Sequence, residues 1–154
     1  MQHQPRGKYF EEFSVGQQIV TAGRTITEAD IVAFAGISGD FNQLHTDAEF
    51  AKTTPFGKRI AHGLLITSIA SGLAAQTGIL EGTTIAFREI KEWKFAKPVF
   101  IGDTIHVVLE VINTKPMRRL GGGAVDIKVD VRNQNDESVI RGIWTVLMAS
   151  KPEE

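Results

Sequence analysis

At 154 residues, with 42% hydrophobic and 23% charged side chains, the chain has the make-up of an ordinary folded protein and enough length for one substantial core, so a single domain over 1–154 is expected. A formal net charge of -1 and a pI near 6.4 provide no global field for nucleic acid or anionic lipid. No apolar stretch reaches bilayer length, there is no cysteine, and the opening MQHQPRGKYFEEF lacks a signal-like apolar run, so a cytoplasmic protein with a small-molecule partner is expected.

In chain order, Gly16 to Arg24 reads as a short strand. Thr27-Glu28-Ala29-Asp30 reads as a helix start, with a capping oxygen and first-turn acids, and Ile31, Phe34 and Ala35 form the apolar face. That helix should end near Gly36 to Gly39, leaving Asp40 to Thr46 as a polar loop before a second helix at Asp47. After a turn at Thr53 to Gly57, the proline-free segment Ile60 to Gly78 reads as one buried helix rich in small residues. The remainder is strand-like. Ile105, Val107, Leu109 and Val111 alternate with polar neighbours, as do Val125, Ile127, Val129 and Val131. Ser138 to Ala149 reads as a strand covered on both faces, and Thr83 to Phe95 as a less regular one. Turns are expected at Asn133 to Glu137 and at Lys115 to Gly123. The fold class is α+β, a long helix on a curved antiparallel sheet.

Two segments carry chemistry. SGDFNQLH sets Asp40 and His45 on one loop, where a carboxylate and an imidazole can activate water and deliver a proton near neutral pH. The same residues also fit a purely structural reading, with Asp40 capping a turn, Asn42 bonding it and His45 opening the next helix. In Ala61-His62-Gly63-Leu64, the amides of Gly63 and Leu64 begin the long helix without intrahelical partners and can receive a developing oxyanion. Against that stands the reading in which Gly63 allows close packing and His62 bonds at a helix end. Lys115, Arg118 and Arg119 form the densest basic cluster, which reads as a solvated loop before it reads as a phosphate contact. His3 and His106 have no partner constellation, and no spacing matches a metal site or a nucleotide-binding loop, so no cofactor is expected.

SGDFNQLHTDAEFA followed by IAHGLL resembles the signature of the MaoC-like dehydratases, which include the R-specific enoyl-coenzyme A hydratases, and the order of segments is similar over about Tyr9 to Ala149. The resemblance implies a hot-dog fold, a homodimer or higher homo-oligomer with an acyl tunnel near the interface, and reversible hydration of an enoyl thioester. It implies that Asp40 and His45 handle the water and the proton, that Asn42 holds the loop at the substrate, and that Gly63, with Leu64 beside it, supplies a backbone donor to the thioester oxygen. One departure is Gln43, where many family members carry proline after the asparagine, and this puts the rigidity of the loop in doubt. A hot-dog thioesterase and a non-catalytic acyl-thioester binding subunit are the competing readings. The first would aim water at the carbonyl carbon with a single carboxylate, and the second would be expected to lack Asp40 or His45.

Overall fold

The computed structural model describes residues 3–153. Strands β1 (Gln18–Val20) and β2 (Arg24–Thr25) lead into α1 (Glu28–Ser38), α2 (Gln43–Thr46), α3 (Ala48–Lys52) and the long α4 (Gly63–Gln76). Strands β3 (Thr84–Phe95), β4 (Thr104–Met117), β5 (Gly122–Arg132) and β6 (Ser138–Ala149) follow. The pairing is antiparallel in the order β1-β4-β5-β6-β3, with β2 also on β4. This sheet, wrapped around α4, is the hot-dog architecture.

The period-two pattern decides which face of the sheet meets the helix. Ile105, Val107, Leu109 and Val111 on β4, and Val125, Ile127, Val129 and Val131 on β5, are all buried in one cluster with Leu65, Ile66, Ile69 and Leu73 of α4. Each of those α4 side chains contributes about 1.5–3 kcal/mol by leaving water, which outweighs the modest helix propensity of a segment carrying two glycines. β6 is buried along nearly its whole length, as expected of a strand flanked by β5 and β3.

Four boundaries differ from the sequence reading. The helix expected over Ile60 to Gly78 begins only at Gly63, because Ile60 bridges Phe100 and the Ala61 amide donates to the Val99 carbonyl, which holds this stretch extended. The turn expected over Lys115 to Gly123 is shorter. β4 runs on to Met117, Pro116 pairs opposite Gly123, and only a single 3-10 turn at Arg118–Leu120 separates the strands. The first strand is divided into β1 and β2, and the loop before Asp47 contains the extra turn α2. Asp47 does start a helix, accepting the Phe50 amide at 2.9 Å from the N-cap of α3.

β3 lies at the edge of the sheet, bonded to β6 on one side. It leaves Ile85, Phe87, Ile90 and Phe95 exposed. No helix among the described residues is long and apolar enough to cross a membrane.

Candidate active site

The loop that carries Asp40 and His45 is built by a chain of side-chain-to-backbone bonds that starts where α1 stops. Thr27 and Asp30 cap the beginning of α1 reciprocally, at 3.2 Å and 2.9 Å. Its other end closes on Gly39, which takes the left-handed φ of 76° that a side chain would resist, and the Gly39 amide donates to Ala35. Ser38 Oγ then accepts the Asp40 amide at 3.1 Å, Asp40 Oδ1 accepts the Asn42 amide at 3.1 Å, and Asn42 Oδ1 accepts the Leu44 amide at 3.0 Å. Each bond ties a side chain to the backbone two residues ahead, and Gln43, where the resemblance leads one to expect proline, forms the first residue of α2.

These turns expose Asp40 and Asn42 and bury His45, at 8% exposure. His45 Nδ1 is 2.8 Å from the Ile60 carbonyl. A carbonyl only accepts, so Nδ1 carries the proton and donates, and Nε2 keeps its lone pair for chemistry. Arg59 reinforces the placement, with Nε donating to the His45 carbonyl at 2.6 Å while its guanidinium pairs with Glu28 of α1 at 2.6 Å.

The start of α4 comes up against this loop. His62, at the N-cap, makes no capping bond with its side chain, so the first amides of a 14-residue helix lack a side-chain acceptor and face outward with the positive end of the helix dipole. Gly63 is the first of them. A methyl group built there would lie 2.5 Å from the Phe95 ring, so only glycine allows that ring to cover the helix end. Gly63, Leu64, Ile60 and Phe95 line a largely apolar cleft of about 410 Å³, which also reaches Phe56 and Pro98. Asp40 and His45 do not line it; they are bonded instead to His62 and Ile60 of the adjoining stretch.

Ligand atoms of Asp40, His45 and His62 lie within 4.8 Å of one another. Three such groups suit a metal ion by composition, but the two imidazoles are stacked, with centroids 3.8 Å apart and planes 27° from parallel. Lone pairs lie in the ring planes, so stacked rings offer theirs side by side instead of converging on one ion. The arrangement favours proton transfer over ligation.

Asp40, His45 and His62 thus come together from two segments; Asn42 joins through the bond of its amide to Asp40, Gly63 follows His62 in the chain, and Leu64 is exposed on the cleft. Lys115, Arg118 and Arg119 do not join them. All three are exposed at the far end of β4 from the Val99 and Phe100 contacts that hold the site. Arg59, Ser38 and the reach of His62 to the loop escape sequence reasoning, because their partners are chosen by tertiary contact and no local spacing signals them.

The model of the MaoC like domain family matches residues 11–133. The chain belongs to the MaoC-like domain family. Among curated relatives, it is 34% identical over 145 residues to the 3-hydroxybutyryl-CoA dehydratase of Methylorubrum extorquens, covering 94% of this chain and 87% of that protein. It is 43% identical over 105 residues to Protein MaoC of Klebsiella aerogenes, covering 68% of this chain but only 31% of that longer protein. Among solved structures, the (R)-hydratase of Aeromonas caviae superposes with a TM-score of 0.74 at 30% identity, covering 92% of this chain and 99% of its own.

Proposed function

We propose that this protein is a hydro-lyase that reversibly adds water to a trans-2-enoyl-coenzyme A thioester, giving the (R)-3-hydroxyacyl product. The observation that carries the reading is the meeting of Asp40 and His45 at the uncapped start of α4, with His45 Nδ1 already committed to Ile60 and Nε2 left for the proton.

In the hydration direction, the Asp40 and His45 pair takes a proton from water as its oxygen bonds to C3 of the substrate. The alkene electrons move through C2 to the thioester oxygen, where the Gly63 amide and the helix dipole stabilise the enolate. The carbonyl re-forms as C2 accepts a proton from the same pair, so atoms and charge balance without a cofactor. Asn42 keeps Asp40 in place through the loop, and the apolar cleft beside Gly63 and Leu64 takes part of the acyl group. The names of the relatives, a dehydratase of 3-hydroxybutyryl-coenzyme A and R-specific enoyl-coenzyme A hydratases, support this class of reversible chemistry.

The functional unit in this reading is a pair of chains joined along β3. An unpaired edge strand carrying four large exposed apolar side chains is a surface that a second copy would cover by continuing the sheet.

The test is to mix purified protein with crotonyl-coenzyme A, follow loss of the conjugated-thioester absorbance and determine the configuration of the product. Absorbance loss yielding the R-hydroxyacyl thioester supports the proposal. Release of free thiol instead would make the protein a thioesterase and overturn it.

A further inference from the structure

His62 is the buried titratable side chain beside the pair that the proposed chemistry leaves unused. It is 2% exposed and occupies the N-cap of α4, where Ser, Thr, Asp or Asn ordinarily accepts an amide of the helix. Its ring makes no bond to those amides. Nε2 lies 2.9 Å from the Asp40 carbonyl oxygen, which only accepts, so Nε2 carries the hydrogen and donates across 22 residues of sequence. Nδ1 is then a bare lone pair, buried without a partner. The ring is stacked on His45, and Phe34 packs against it in an edge-to-face arrangement with centroids 4.9 Å apart and planes at 61°.

We infer that His62 is a positioning residue that registers the three parts of the site against one another. One end of its side chain holds the backbone of Asp40 through the Nε2 donor, its ring lies against the His45 imidazole, and its own backbone leads directly into the Gly63 amide. Because the ring bonds the loop instead of capping α4, the first helix amides also stay free for a substrate oxygen. This deepens the hydratase reading and rests on it for its catalytic consequence, while the geometry of the ring can be tested separately.

The geometry distinguishes three substitutions. A glutamine side chain brings its amide nitrogen to where Nε2 stood, an asparagine brings it only as far as Nδ1, and a phenylalanine keeps the stack without the donor. H62Q is expected to keep kcat within about 5-fold of wild type, whereas H62N and H62F lose about 100-fold in kcat with KM changed less than about 3-fold, the cost of a misplaced reacting group. Wild-type turnover in H62N and H62F overturns the inference.

Nitrogen NMR of the wild-type imidazoles provides a readout that needs neither a variant nor turnover. His62 is expected as the Nε2–H tautomer and His45 as the Nδ1–H tautomer, and an Nδ1–H tautomer of His62 also overturns the inference. Should the wild type hydrate no enoyl thioester, the hydratase reading falls alone. The positioning role is then decided by amide exchange at Asn42 and Leu44, which is expected to quicken in H62F and to stay slow in H62Q. Equal exchange in wild type and H62F refutes it.

Discussion

Replacing Gly63 with alanine separates stability from catalysis at the start of α4. The added methyl would sit 2.5 Å and 2.6 Å from two ring carbons of Phe95, so the ring must retreat by roughly 1 Å to reach ordinary carbon contact. Phe95 is 55% exposed and can swing outward, and alanine restores helix propensity that glycine gives up. The two effects nearly offset, and G63A is expected to melt within about 4 °C of wild type. Activity is expected to behave differently, because the methyl and the displaced ring occupy the approach to the Gly63 amide. Loss of one oxyanion donor is worth about 100-fold or more in kcat, or about 2.7 kcal/mol. The assay is steady-state hydration of crotonyl-coenzyme A beside a thermal melt, with F95A and the G63A/F95A pair as controls. Removing the ring relieves the clash, so the double variant regains any lost stability without regaining the rate. A G63A enzyme with wild-type kcat refutes the assignment of that amide to the thioester oxygen.

Asp30 and Asp126 are two of the carboxylates whose ionised form the fold favours. Burial pushes the Asp30 carboxyl up, but the bonds from Thr27 and the Arg24 pair overbalance it and hold it below the ordinary value of 3.8; for Asp126, burial is likewise outweighed by bonds from Thr145 and Asn113 and by Lys91. A lowered folded value means stability that is present above the ordinary value and lost as pH falls through the folded one. D30N is therefore expected to be about 0.5–1 kcal/mol less stable than wild type near neutrality, with the gap closing below about pH 4 in denaturant titrations; a gap independent of pH contradicts the account. Along β3, I90K puts a charge on the exposed edge, and analytical ultracentrifugation is expected to find the wild type as a dimer and I90K shifted towards monomer. A monomeric wild type would remove the pairing.

The sheet was legible because buried apolar side chains recur at every second position over Ile105 to Val111 on β4 and Val125 to Val131 on β5, a period that the sequence itself carries. The helix at Thr27 was legible through its cap and its acids. What escaped was decided at a distance. Nothing in IAHGLL says that Ile60 and Ala61 are held extended by Phe100 and Val99, and nothing in KPMRRLGGG says that Pro116 continues a strand, since both outcomes depend on partners far along the chain. Asp40, Asn42, His45 and Gly63 could be named from their residue types and the family signature, but their closeness could not. It arises from the bond between His62 and the Asp40 carbonyl and from the bond between His45 and Ile60. Gln43 shows the reverse. The three successive side-chain bonds around it are made by residues that the sequence names, but the sequence does not show that they bond in series.

The most direct test of the account is the hydration rate of crotonyl-coenzyme A by Asp40→Asn, His45→Gln and the two combined. If the pair acts as one unit, each single change is expected to lower kcat by about 100- to 10,000-fold and the double change to cost little more than either alone. Either variant retaining wild-type kcat would contradict the proposed site.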